Sequence, residues 1–337
     1  MFKALVVGRP ISVIFSLRTL GYAEALAEAG WQVDFYSHAD AQRREMTGYS
    51  LVIWDGPIPE LLLRSIKKGT TLILLGGAGD DISYYRKYAE TIAVIASSMW
   101  YSDSPGPEVL LSELSAWGLA PHRLMRHAKF AVRFPQYCNP NYWKRAGIRL
   151  IYLPPAANPA HFHPTKGSIC DLKWVFVGTT RNRHFIPWLA QRSCEQSWAY
   201  GVYGQDIGRL VPPTELNALY NRAEVCPNEC GHGVFYRELN IRTFELGMAG
   251  RFQISDMRWL AEHEIEGYAS FYSTRKSASG DWPLGLASIK DQPRLDPEDV
   301  HTYFRAHHSY AARLRRLSSE IGQELTVSSV RGALNIG

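Results

Sequence analysis

Short apolar runs and helical repeats alternate from the start of the chain. Lys3–Gly8 is an almost unbroken apolar run, Ser16–Gly30 places its apolar residues at helical spacing and ends on a glycine, and Trp31–Tyr36 returns to a compact apolar run. The pattern predicts strand, helix, strand, a β-α-β unit. Leu51–Trp54, Thr71–Leu75 and Thr91–Ala96 are further short β-rich runs, with Pro59–Lys68 and Pro107–Trp117 as helices between and after them. Strands that alternate with helices imply a parallel, doubly wound sheet, buried on both faces.

The pattern breaks and restarts near the middle. A strand at Arg149–Leu153 runs into Pro154-Pro155-Ala156-Ala157-Asn158-Pro159, which can continue neither helix nor sheet, so Pro154 to Ile169 is read as a linker. Leu172–Val177 opens a new strand that leads directly into Gly178-Thr179-Thr180-Arg181. Helices are expected at Ile186–Gln191, Pro213–Ala223 and Ile241–Ala249, strands at Gly201–Gly204 and Phe252–Ser255, and more helix from Pro297 to about Leu325. The expected architecture is α/β: two Rossmann-like doubly wound domains, residues 1–160 and 165–305, facing one another across a cleft, with a helical tail, 306–337, that packs back on the first.

Composition narrows the partners. With 37 basic and 32 acidic residues the net charge is +5, a mild bias that suits anionic ligands; no long Lys/Arg block is present, which argues against nucleic acid. The opening apolar run is too short for a secretory signal core, and no stretch approaches about 18 uninterrupted apolar residues, so a cytoplasmic protein is expected, with at most peripheral membrane contact. The odd count of five cysteines argues against a disulfide framework. Cys226-Pro227-Asn228-Glu229-Cys230 with His232 has the look of a zinc half-site, but a second cluster is missing and no metal is expected.

Candidate chemistry concentrates in the second half. In Asn240-Ile241-Arg242-Thr243-Phe244-Glu245, followed by the Ala249-Gly250 turn and Ser255-Asp256, a carboxylate sits near a helix start and a strand ends close by. A Glu so placed can accept hydroxyl hydrogen bonds from a ribose while helix N-terminal amides face phosphate oxygens. This segment resembles the donor-site motif of GT-B glycosyltransferases, in the CgeB-like (spore maturation protein) branch of the glycosyl transferases group 1. Tyr152–Pro159 with Phe162 and Pro164, Trp174–Gly178, and His308-Ser309-Tyr310 with Arg313 resemble further segments of that branch, in order; the similarity spans roughly residues 120 to 317.

The resemblance implies transfer of a sugar from a nucleotide-diphosphate sugar, a co-substrate rather than a cofactor, to a sugar, lipid-linked or small-molecule acceptor. It implies an acceptor-side first domain and a donor-binding second one. Glu245 would hold the donor ribose, and Arg181 or Arg183, after Gly178, would face the diphosphate, with Asn240, Arg242 and Ser255 as further donor-site residues. Cationic side chains in place of a metal would stabilise the departing diphosphate. Related retaining enzymes carry a second Glu eight positions before the ribose-binding one; here that position is Arg237, with Glu238 beside it, so retention is not implied. Three catalytic candidates remain open. Asp80 and Asp81, in Gly76-Gly77-Ala78-Gly79-Asp80-Asp81, are either an acceptor-side base or part of a tight turn, and His232 either bonds a phosphate or sugar hydroxyl or is structural. Trp54, Trp100 and Tyr101 either stack on an acceptor or pack in the core. The competing classes are a two-lobed binding protein without catalysis and a nucleotide-sugar epimerase, for which Gly8-Arg9-Pro10 lacks the glycine fingerprint.

Overall fold

The computed structural model describes residues 2–8, 16–45, 47–56, 58–75, 85–89, 91–96, 149–181, 183–229, 239–256, 265–271, 289–290, 295–326 and 331–336. The chain forms two compact units. Unit 1 comprises Met1–Leu111, Pro121–Ala156 and Tyr310–Gly337, and unit 2 Ser112–Ala120 and Ala157–Ser309.

Unit 1 is built on β1 (Lys3–Gly8), β2 (Gln32–Ser37), β3 (Leu51–Asp55), β4 (Thr71–Leu75), β5 (Thr91–Ala96) and β6 (Arg149–Tyr152), with helices α1 (Ser16–Glu28), α2 (His38–Ala41) and α3 (Glu60–Leu63) between them. A late strand, Leu334–Ile336, completes a seven-stranded parallel sheet by pairing with β2 at its edge; the order continues β2-β1-β3-β4-β5-β6. Successive side chains of a strand point to opposite faces. Ala4, Val6, Val33, Phe35, Leu51 and Ile53 therefore face α1, while Leu5, Val7, Val52 and Trp54 face Leu62, Leu63 and Tyr85. Burial on both sides explains why these strands read as apolar runs. Trp54 is 1% exposed, so it packs in the core rather than offering a ring to an acceptor. Of the helix expected at Pro59–Lys68 only α3 forms, because Ser65 and Ile66 donate to carbonyls three residues back and the Ser65 hydroxyl also takes the Leu62 carbonyl.

Unit 2 contains β7 (Leu172–Val177), α4 (Phe185–Glu195), β8 (Tyr200–Tyr203), α5 (Pro213–Asn221), β9 (Ala223–Asn228), α6 (Ile241–Met248), β10 (Phe252–Ser255), β11 (Ala269–Phe271) and α7 (Pro297–His308). Its sheet is also parallel, in the order β11-β10-β9-β7-β8. Trp174, Phe176, Val225 and Ile254 fill its core against Phe185, Ile186 and Leu189 of α4. The chain then returns to unit 1 as α8 (Tyr310–Ile321), before the late strand β12 (Leu334–Ile336). Tyr310, Leu314 and Leu317 of α8 pack in the cluster that includes Leu20 and Leu26 of α1. Within unit 1, Arg313 of α8 donates to the carbonyls of Pro154 (3.0 Å) and Pro155 (3.1 Å). The two segments singled out by resemblance, around Pro154 and around Arg313, thus meet. Among the described residues no helix is long and apolar enough to cross a membrane.

Candidate functional site

The strand order of unit 2 makes its site. From β7 the chain moves to β8 on one side and then crosses back to β9 on the other. Loops leaving the carboxyl ends of β7 and β9 therefore diverge, and such a switch point is where doubly wound sheets bind ligands. Gly178 follows β7 with φ +151°, and a Cβ built there would overlap the guanidinium of Arg242, so only glycine lets the two approach. Arg242 stands 4.7 Å from the Phe176 ring centroid, and its Nη1 donates to Asn228 Oδ1 (3.3 Å). Arg183 lies 5.4 Å from the same ring; its Nε donates to the Glu229 carbonyl (2.7 Å) and its Nη1 to the Thr179 carbonyl. Arg183 thus braces the loop. Arg181 is exposed, and its N–H donates to Asp206 Oδ2 (2.8 Å) beside the N–H and hydroxyl of Thr180 (both 2.7 Å). The Thr180 hydroxyl, with these backbone N–H groups, keeps the Asp206 carboxyl below its ordinary range against the pull of desolvation.

Both helix starts at this edge are capped by protein side chains. The Glu229 carboxylate accepts the N–H groups of His184 (2.9 Å), Phe185 (3.3 Å) and Ile186 (3.1 Å), closing the first turn of α4. Burial pushes the Glu229 carboxyl up, with these three donors opposing it. At α6, Asn240 is the N-cap: its Oδ1 accepts the Thr243 N–H (3.0 Å) and its Nδ2 donates to Asn228 Oδ1 (2.9 Å). Asn228 in turn donates to Thr243 Oγ1 (2.9 Å) and Gln253 Oε1 (3.1 Å). Asn228, Glu229, Asp206 and Gln253 were not singled out in the sequence. Asn228 and Glu229 lay inside the Cys226–Cys230 run that suggested zinc, where spacing drew attention to the cysteines.

Glu245 lies in the second turn of α6, which begins at Ile241 as expected. It is 4% exposed. Oε2 accepts from the Tyr220 hydroxyl at 3.4 Å, and Oε1 has no hydrogen-bond partner among the described residues. Burial pushes the carboxyl up to about 7, with the Arg242 charge and the Tyr220 hydrogen bond pulling the other way. Ser255 is fully buried at the end of β10, with Asp256 nearly so beside it. The structure therefore gathers Gly178, Arg183, Asn240 and Arg242 into one connected cluster, with Glu245 deeper in α6 and Arg181 on its rim. Asp80, Asp81, His232, Arg237, Glu238, Trp100, Tyr101 and the helix expected at Pro107–Trp117 lie outside the described residues. Cys226 is buried in β9, its thiol pushed up to about 12 by desolvation, whereas Cys170 and Cys194 are exposed. Among the described residues, no group of three or more His, Cys, Asp or Glu is placed to hold a metal.

Two parallel doubly wound α/β domains in one chain match the GT-B fold of glycosyltransferases. No family model matches the sequence, and no curated protein matches it. Among solved structures, the chain is similar to a DNA-modifying β-glucosyltransferase determined with and without uridine diphosphoglucose, with 12% identity over 96% of this chain and 100% of that one, at a TM-score of 0.54. It is similar also to the T4 phage enzyme BGT in complex with UDP and Mn2+, at 11% identity over 95% of this chain and 99% of that one and a TM-score of 0.51. The same phage enzyme with UDP-glucose gives 12% identity, 95% and 99% coverage and a TM-score of 0.50. These likenesses show the fold.

Proposed function

We propose that the protein is a glycosyltransferase that moves a sugar from a nucleoside-diphosphate sugar to a hydroxyl-bearing acceptor, with the donor held by unit 2. The observation that carries this reading is the edge cluster. Gly178 clears space beside Arg242, Arg181 stands exposed on the rim, and Glu245 keeps one buried carboxylate oxygen without a partner among the described residues. Guanidinium groups bind phosphate oxygens bidentately and stay charged, so Arg181 and Arg242 suit a diphosphate and its developing charge as the glycosidic bond breaks. A buried carboxylate with a vacant acceptor suits the two hydroxyls of a ribose. Arg183 and Asn240 act as positioning residues, through the loop after β7 and the start of α6.

The similar phage enzyme was determined with UDP and with UDP-glucose, which makes uridine nucleotides the first donors to test here. The kinship by motif with the CgeB-like branch belongs to this reading, as do a sugar, lipid-linked or small-molecule acceptor and a cytoplasmic site of action. A thermal-shift panel of five nucleoside diphosphates and their sugars tests it, since a ligand that binds the native state raises Tm. Glu245→Ala is expected to weaken nucleotide binding at least about tenfold, because hydrogen bonds to a charged acceptor contribute roughly 1.5–3 kcal/mol each. Wild-type affinity in that variant would displace the donor site from Glu245. Turnover is expected to survive a chelator, with the arginines as the counter-charge; a complete loss that manganese restores would refute that account.

A further inference from the structure

Asn228 ends β9 and is fully buried, yet its amide is bonded on every polar side. Its Nδ2 donates to Thr243 Oγ1 and Gln253 Oε1 and its Oδ1 accepts from Asn240 and Arg242, so both donors and both lone pairs are used. Backbone groups of α6 fix which way round the amide stands. The Thr243 carbonyl can only accept, so Gln253, also fully buried, turns Nε2 toward it (2.9 Å) and Oε1 toward Asn228. The Thr243 N–H can only donate, so Asn240 turns Oδ1 toward it and Nδ2 toward Asn228. Either constraint alone leaves the oxygen of Asn228 for Arg242, and the two agree.

That oxygen is neutral, which decides what Arg242 can do. Among the described residues no carboxylate forms an ion pair with Arg242, and Glu245, one turn on in α6, forms none with it either. The Arg242 Nη2, the atom nearest to where a Cβ on Gly178 would stand, has no hydrogen bond among the described residues. The guanidinium is thus held through Nη1 and the Phe176 ring, and it turns its other end to the loop after β7. We propose that Asn228 is the positioning residue for Arg242, a neutral acceptor that aims the guanidinium at the diphosphate of the donor and leaves its charge uncancelled; the assignment rests on the glycosyltransferase reading above. A carboxylate at this position would take the guanidinium as its own partner and withdraw it from phosphate. An apolar side chain would leave it unheld.

Inorganic pyrophosphate is the probe, because it carries the diphosphate without base or sugar. Asn228→Asp keeps the shape and supplies the competing charge, whereas Asn228→Leu keeps the size and supplies no acceptor. Isothermal titration is expected to show pyrophosphate binding at least about tenfold weaker in each, the least that one charge-assisted hydrogen bond contributes. The nucleoside diphosphate selected by the thermal-shift panel then serves for a double-mutant cycle. In an Arg242→Ala background, which has no guanidinium to aim, Asn228→Leu should weaken that nucleotide no further. Equal losses with and without Arg242 would make Asn228 structural and overturn the assignment. Should Asn228→Leu fail to fold, Asn228→Asp decides alone, and wild-type pyrophosphate affinity in that variant would overturn the assignment while leaving the donor site in place. If the wild-type protein binds neither pyrophosphate nor any nucleoside diphosphate of the panel, the glycosyltransferase reading falls, and this assignment with it.

Discussion

Glu245 gives the sharpest behaviour at the scale of one residue. Its carboxyl is raised by burial from an ordinary 4.5 to about 7, so between those values the folded protein binds more protons than the unfolded chain. Stability must then fall as pH rises through that window, and the full cost, on the order of 3 kcal/mol for a shift of this size, is present above pH 7. Glu245→Gln removes the titration. The variant is expected to be more stable than wild type at pH 8, with the gap closing toward pH 4.5, as urea denaturation at the two extremes would measure. Parallel curves would mean that the carboxyl does not titrate in the folded state as described. Gly178 makes a second prediction. Gly178→Ala must displace the Arg242 guanidinium and hold alanine at a positive φ, a strain of about 1–3 kcal/mol. In an Arg242→Ala background the steric part disappears, so a double-mutant cycle should show a large coupling between the two positions. Independent effects would rule out the close approach.

At the scale of elements, the start of α4 depends on a residue from another strand end. Glu229→Ala removes the acceptor for three backbone N–H groups at once, and a cost of at least about 2 kcal/mol is expected, the upper end for loss of a helix cap. Glu229→Gln keeps one acceptor oxygen and should lose less. Amide exchange at residues 184–186 would locate the damage, and unchanged protection there would contradict it. This dependence also marks what the sequence could reveal. β4, β5, β7 and β10 match their apolar runs because parallel strands buried on both faces need apolar residues throughout. β9 escaped detection because Glu224, which is exposed, and the buried Pro227 interrupt Ala223–Asn228, and a proline argues against a central strand. β11 and β12, three residues each, are too short to carry a period. Gly178, Arg181, Arg183, Arg242 and Glu245 drew attention because they adjoin a strand end or a helix start. Asp206 and Glu229 act on partners 25 to 45 residues away, and no local pattern records that separation.

For the whole molecule, the decisive feature is that unit 2 is inserted into unit 1. Residues from Tyr310 onward supply α8, which packs against α1, and β12, which pairs with β2. The pairing is pinned by the Asp34 carboxylate, which accepts from Asn335 Nδ2 (2.9 Å) and the Tyr49 hydroxyl (2.7 Å) and faces Lys3 Nζ at 2.9 Å. Desolvation raises the Asp34 carboxyl, but the hydrogen bonds outweigh it and hold it below its ordinary value. That contribution is present above the ordinary carboxylate range and is lost as pH falls through the lowered pKa. Deleting residues 310–337 is expected to leave amides of β1–β3 in rapid exchange while those of β7, β9 and β10 stay protected. Protection of β1–β3 equal to the full chain would show that the late segment is dispensable.

The same insertion sets the order of events during synthesis. The apolar face of α1 is made early, but Tyr310, Leu314 and Leu317, which share its core, emerge only after all of unit 2, about 280 residues after the end of α1. At roughly 5–20 residues per second, that face stays uncovered for on the order of fifteen to sixty seconds. During that interval the nascent chain carries a nearly finished second lobe and an open first one, and it is then, more than after release, that chaperone capacity decides the yield of native protein.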